Sequence, residues 1–281
     1  MIRTIAAALL AIALVPALAM AQPNKRDYDT CAGDDDDKAI PACTRLINAG
    51  KLNQKQKREV HYNRALSYAN KRRYDEAIAD YTTAINADPS HPHAYNNRGI
   101  LFYERKNDLN RAKADYDKAI ELDPAYAFAY NNRGNIFKRR GDYNNAIADY
   151  NKAISINPRY DGAHRNRGDT YRQMGDLAQA ISDYNKAIEF NPKFQAAYFG
   201  RARAYDARGE FEPAIADYTK VLALYERHVE AMVYRGILYE NSGRCQDAVA
   251  DYRKAINLSA EDDDDRKAQA DALDRLARLK C

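Results

Sequence analysis

Residues 127–160 read AFAYNNRGNIFKRRGDYNNAIADYNKAISINPRY. Two helix-length runs flank the Gly141-Asp142 pair, which breaks the first and caps the second. In the first run Tyr130 and Phe137 stand at helical spacing, and Tyr143 follows across the turn. The second run carries Ala146 and, four residues on, Tyr150. That places a small residue where two helices approach and a bulky one on the same face. Asn157-Pro158 then stops the helix, because proline lacks an amide hydrogen and restrains the residue before it. The stretch predicts one helix–turn–helix hairpin.

The same pattern recurs on both sides of it. Arg133 has counterparts at Arg64, Arg98, Arg167, Arg201 and Arg235, with successive spacings of 34, 35, 34, 34 and 34. Asp149, in Ala-Ile-Ala-Asp-Tyr, has counterparts at Asp80, Asp115, Asp183, Asp217 and Asp251, spaced 35, 34, 34, 34 and 34. Two independent markers holding one register define an internal repeat, and repeats of this period build solenoids. The pattern has local departures. Copy two carries one extra residue around Lys106-Asn107, and Glu226 and Ala260 stand where copies five and six should have proline.

These residues resemble the tetratricopeptide repeat (TPR) family, whose consensus is a 34-residue helix–turn–helix with the same order of Gly, aromatic, Ala, aromatic, Ala and Pro. The family's usual Leu is replaced by the arginine in all six copies. The resemblance implies an all-α, right-handed α-solenoid with a concave groove lined by the first helix of each pair. It assigns six repeats to 58–262, namely 58–91, 92–126, 127–160, 161–194, 195–228 and 229–262. The segment 22–57 is then an extension with a partial repeat. Within it Asp34–Gly50 reads as a lone second helix, with Cys43 in the tyrosine place. Segment 263–281 reads as a capping helix: acids at its start suit the helix dipole, and Ala272, Leu276 and Leu279 share one face.

The composition fits an ordered chain. It has 281 residues, 46% hydrophobic and 30% charged, with 44 Lys+Arg against 40 Asp+Glu. Acids and bases alternate along the chain, which argues against a nucleic-acid footprint. Residues 1–21, MIRTIAAALLAIALVPALAMA, read as a secretory signal peptide with cleavage after Ala21. Its apolar run is shorter than the roughly 20 residues that span a bilayer, so no stable membrane insertion is expected after cleavage. Signal peptide and repeat together look like an exported bacterial protein of the periplasm. In such a compartment the even cysteine count predicts disulfides Cys31–Cys43 and Cys245–Cys281, with buried free thiols as the alternative.

Candidate site residues fall into three groups. Each arginine precedes an aspartate by 16 residues, or 17 in copy two, which reads as a structural ion pair between paired helices: Arg64–Asp80, Arg98–Asp115, Arg133–Asp149, Arg167–Asp183, Arg201–Asp217 and Arg235–Asp251. The other reading is a row of groove charges. Before the arginines stand Asn63, Asn97, Asn132 and Asn166, then Gly200 and Tyr234. The resemblance puts this place in the groove, where several TPR proteins use asparagine to hold a peptide backbone, and an amide both donates and accepts. The third group varies between copies: Tyr62, Leu66, Ile100 and Tyr103, then Lys138, Arg165, Arg172 and Arg203. An apolar end beside a basic middle suits an extended peptide with a hydrophobic anchor and an acidic part; a solvated charged face is the alternative.

Catalytic and metal motifs do not emerge. His61 and His164 occupy the aromatic place of their repeats, His91 and His93 flank Pro92, and no Cys-x-x-Cys, phosphate loop or His-Glu-x-x-His occurs. The expectation is a non-catalytic protein-interaction protein without cofactor or metal, binding a protein or extended peptide in its groove as an adaptor or assembly factor of the cell envelope. A self-associating envelope scaffold and a regulatory subunit of an enzyme are the alternatives.

Overall fold

The computed structural model describes residues 25–280, so the expected signal peptide and Cys281 lie outside the described residues. Every regular element among the described residues is an α-helix, fifteen in all. The described residues divide between two compact units, the first ending at Ser90 and the second starting at His91.

The first unit holds α1 (Lys25–Cys31), α2 (Asp36–Asn48), α3 (Gln54–Asn70) and α4 (Tyr74–Ala87). The lone second helix expected at Asp34–Gly50 is accompanied by α1, so this flank is a short hairpin. Its two helices are joined by the Cys31–Cys43 disulfide. Both cysteines are buried with Ala42, Leu46 and Val60. Asn53 caps α3 in a reciprocal box with Gln56, each side chain bonding the other's backbone N–H.

The second unit holds α5 (Pro92–Glu104), α6 (Leu109–Leu122), α7 (Ala127–Arg139), α8 (Tyr143–Ile156), α9 (Asp161–Met174), α10 (Leu177–Phe190), α11 (Gln195–Ala207), α12 (Phe211–Leu224), α13 (Val229–Asn241), α14 (Cys245–Ile256) and α15 (Asp263–Arg278). It is a solenoid of hairpins: each second helix packs against its own first helix and the next one along. First helices also touch in turn, α5 on α7, α7 on α9 and α9 on α11, and so form one face of the unit.

Each hairpin turn needs a residue with positive φ. Glycine supplies it at Gly141, Gly175, Gly209 and Gly243, where a side chain would crowd the backbone. Arg72 and Asn107 do so in the first two copies, the latter within the one-residue insertion. Asp108, Asp142 and Asp176 then cap α6, α8 and α10 by accepting from the backbone three residues on.

Inside each hairpin the second-helix tyrosine is buried, and Gly134 shows why the facing residue is small: a Cβ there would lie 2.7 Å from the Tyr150 ring. At the C-terminal end α15 packs on α13 and α14 and buries Ala272, while Leu276 and Leu279 are partly covered and Leu273 faces solvent. That end of the stack is therefore covered. Cys245 is not free, but its expected partner Cys281 lies outside the described residues.

Candidate binding face

The arginines organise the stack. Each forks onto its own aspartate with Nε and Nη2, as Arg133 does on Asp149 at 2.8 and 2.7 Å. All six aspartates are buried. The third nitrogen, Nη1, reaches back to the residue after the preceding hairpin's tyrosine position: Arg64 to Thr44, Arg133 to Asp117, Arg167 to Asn151, Arg201 to Asn185 and Arg235 to Thr219. One guanidinium thus ties helices within a repeat and between repeats, which leucine cannot do. The signal was present in the sequence, since each of those partner positions holds an acceptor. In the last copy it becomes Arg253, where no further repeat arginine follows.

Local partners set the charge balance of each pair. Burial pushes the Asp80 carboxyl up, but the hydrogen bonds from Arg64 and His61 outweigh it and hold Asp80 below its ordinary value. Asp115 has no histidine beside it, and burial, only partly offset by Arg98, leaves it above.

The asparagines form a chain of amides along the face of the second unit. Asn96 donates to Asn97 at 3.2 Å, Asn132 to Asn96 at 3.0 Å, Asn131 to Asn132 at 3.3 Å and Asn166 to Asn131 at 2.9 Å. Arg165 Nη1 closes the chain on Asn166 at 3.0 Å. Asn166, expected to face an open groove, is buried because its amide sits inside this chain. Asn96 and Asn131, which the repeat pattern did not single out, are buried members; the doubled Asn-Asn in copies two and three was their signal. The row stops at Gly200, where a Cβ would meet the Tyr184 ring at 2.6 Å and its hydroxyl at 2.8 Å.

Beside the amides lies the basic cluster. Arg165, Asp169 and Arg172 share one face of α9, and Lys138 approaches from α7. Asp169 is buried; its Oδ1 accepts from the Tyr184 hydroxyl at 2.7 Å, and its Oδ2 lies 3.1 Å from Arg165 and 3.7 Å from Lys138. Burial lowers the Lys138 pKa; Asp169 opposes this, and Arg165 and Arg172 add to it. Arg203 lies on α11 with its guanidinium 5.5 Å from the Tyr234 ring centre. Its position matters for Tyr218. Tyr150 and Tyr184 donate to Asn135 and Asp169, but Arg203 stands in the corresponding place and accepts nothing, so the buried Tyr218 hydroxyl has no partner.

The apolar candidates divide between the units. Ile100 and Tyr103 are half-buried on α5, with Arg139 5.5 Å from the Tyr103 ring centre. Tyr62, Asn63 and Leu66 lie on α3 in the first unit, where the Tyr62 ring packs 5.7 Å from that of Tyr81. Three of the five histidines hold side-chain partners: His61 faces Asp80 at 2.7 Å, His164 faces Asp183 at 3.3 Å and His93 meets the Tyr126 hydroxyl at 2.8 Å. Among the described residues no three metal-binding side chains converge, and no helix is long and apolar enough to cross a membrane.

Family models described as tetratricopeptide repeat match residues 62–127 and 199–266, 115–148 and 162–194, and one described as TPR repeat matches 134–175. None of the curated proteins compared matches the chain. Among solved structures it is similar to PilF of Pseudomonas aeruginosa, with 19% identity, TM-score 0.67, and 78% of this chain and 100% of that one covered. It is similar to PilW, described as a widely conserved type IV pilus biogenesis factor, with 20% identity, TM-score 0.68, and coverage of 78% and 99%. It also resembles YrrB, described as a TPR protein with an unusual peptide-binding site, with 24% identity, TM-score 0.53, and coverage of 69% and 97%. At these identities the likeness is one of fold.

Proposed function

The chain belongs to the tetratricopeptide-repeat family, and from that premise we propose that it is a non-catalytic interaction protein, an adaptor or assembly factor of the cell envelope. Its second unit holds an extended protein segment against the face formed by α5, α7, α9 and α11. The observation that carries this reading is the amide chain from Asn97 to Asn166. It fixes the face before any ligand arrives, so the ordering cost falls on the segment alone. Within the chain Asn132 uses one N–H and one lone pair, and an amide carries two of each. The second pair matches the alternating donors and acceptors of an extended backbone. The envelope location is supported by the signal-like residues 1–21 and the closed Cys31–Cys43 disulfide. The shared fold with PilF and PilW agrees with an assembly role.

The test is affinity capture from the native envelope fraction. Wild type is compared with Tyr103→Glu plus Lys138→Glu on the proposed face, and with Glu121→Lys on a second helix. A partner retained by wild type and Glu121→Lys but lost by the double variant is the expected result. Equal capture by all three would move binding to another face.

A further inference from the structure

We propose that a cleft in the first unit, between the α2–α3 connection and α4, is a binding site for a small phenolic molecule. It lies outside the α5–α11 face and does not depend on the reading of that face. The cleft encloses about 460 Å³, within the roughly 300–1,000 Å³ of small-molecule sites. Ile47 and Leu52 give it an apolar wall, Thr83 borders it from α4, and Lys57 and His61 border it from α3.

His61 supplies the polar group that calls for a ligand. The residue is only 8% exposed, and its ring borders the cleft. Its Nδ1 faces Asp80 Oδ1 at 2.7 Å. Burial raises the Asp80 pKa, yet the hydrogen bonds from Arg64 and His61 outweigh it, so Asp80 is a carboxylate and can only accept. The ring proton therefore sits on Nδ1, and Nε2 of the neutral imidazole offers a lone pair. That lone pair has no partner among the described residues, and Nε2 is not sealed from the cleft. His164 holds the same place in copy four, where its Nε2 meets the Pro158 carbonyl at 3.1 Å. The connection before α3, which turns at Gly50, brings no such group to His61.

The opening is peculiar to copy one. The place of His61 is tyrosine in copies two, three and five, and that of Thr83 is lysine in all five other copies. Both side chains are smaller than those they replace, which leaves room beside the α2–α3 connection. Lys57 stands one turn before His61 on the same helix face and has no ionic partner among the described residues. A phenol matches all three features at once. Its O–H donates to Nε2, its oxygen accepts from the Lys57 ammonium, and its ring lies on Ile47 and Leu52. With a pKa of about 10 it also donates more strongly than an aliphatic alcohol. The molecule already contains one such bond, between His93 Nδ1 and the Tyr126 hydroxyl at 2.8 Å. A carboxylate would set its lone pairs against that of Nε2.

The test follows the His61 ring nitrogens and the Leu52 and Thr83 amides of the 15N-labelled protein by NMR at mildly alkaline pH. The probes are p-cresol, 4-methylanisole, cyclohexanol, 4-methylbenzoate and the capped peptide acetyl-Ala-Tyr-Ala-amide. p-Cresol should move the His61 Nε2 signal and both amides saturably. 4-Methylanisole keeps the ring and the oxygen but has no proton to donate, and should not. His61→Tyr installs the residue of copies two, three and five, so the fold should survive while p-cresol binding is lost. Lys57 is exposed, so Lys57→Met should leave amide exchange in α3 unchanged and weaken p-cresol about fivefold. Undiminished binding by both variants would overturn the proposal. Equal saturation by 4-methylanisole, cyclohexanol or 4-methylbenzoate would rule out a phenol as the occupant. Saturation by the tyrosine peptide but not by p-cresol would replace the small molecule with a partner's side chain. If no probe moves the Nε2 signal, the site is refuted.

Discussion

Replacing Arg133 with leucine restores the residue that the repeat family usually has, yet here it should be costly. The side chain is about one-fifth exposed, and it donates at 2.8 and 2.7 Å to Asp149 and at 2.8 Å to Asp117. The Asp117 carboxylate is well exposed, so that link contributes at most about 1 kcal/mol. Asp149 is only 6% exposed, and removing its partner strands a buried charge, which costs about 3–5 kcal/mol. The single variant should therefore lose about 4 kcal/mol. Changing Asp149 to leucine as well removes the stranded charge, and the double variant should return to within about 1 kcal/mol of wild type. Urea unfolding followed by helical circular dichroism reads the total. Hydrogen exchange of the α7 and α8 amides reads the local opening, which a repeat array can undergo separately. A single variant within about 1 kcal/mol of wild type, or a double variant worse than the single, would refute a stabilising role for the Arg133–Asp149 fork.

Four further outcomes follow from the same physics. Cys31→Ser with Cys43→Ser should cost the first unit about 3 kcal/mol through loop-closure entropy, seen as faster exchange in α2 that leaves α9 unchanged. Gly200→Asn would extend the asparagine row on paper, but the Tyr184 ring occupies the space, so thermal unfolding should show a loss of about 1–3 kcal/mol. Asn151→Arg should lower the melting temperature because it meets the Arg167 guanidinium, whereas Arg253→Asn, with no arginine following, should leave it unchanged. Asp80 has a folded pKa below its unfolded value, so its contribution is present at neutral pH and is lost as pH falls below about 4 toward the folded value; Asp115 has the opposite sign. Exchange in α4 should accelerate on acidification, and Asp80→Asn should flatten that dependence.

The repeat, its hairpins and the buried Ala and Tyr positions were legible because one register was written six times. Features that link one copy to the next were harder to see, because each joins positions that consensus reading treats separately. Arg133 advertised its link to Asp149 within the hairpin, but its third bond runs backwards to Asp117. Asn132 looked like a groove amide, and only the packing of α5 on α7 showed that it is tied to Asn96. Gly200 ends the asparagine row for a reason that only packing reveals, since the Tyr184 ring and hydroxyl stand where its side chain would be. Helix α1 was missed because seven residues carry too little periodicity, although Cys31 already tied that stretch to Cys43.

In the proposed function the first helices of the second unit present the binding face. A photo-crosslinking side chain placed at Tyr103, Lys138 or Arg172, and separately at Glu121 and Lys152 on second helices, tests this in cells of the native host. Crosslinks from the first set to one extended segment are the expected result. Crosslinks arising equally from Glu121 and Lys152 would contradict it.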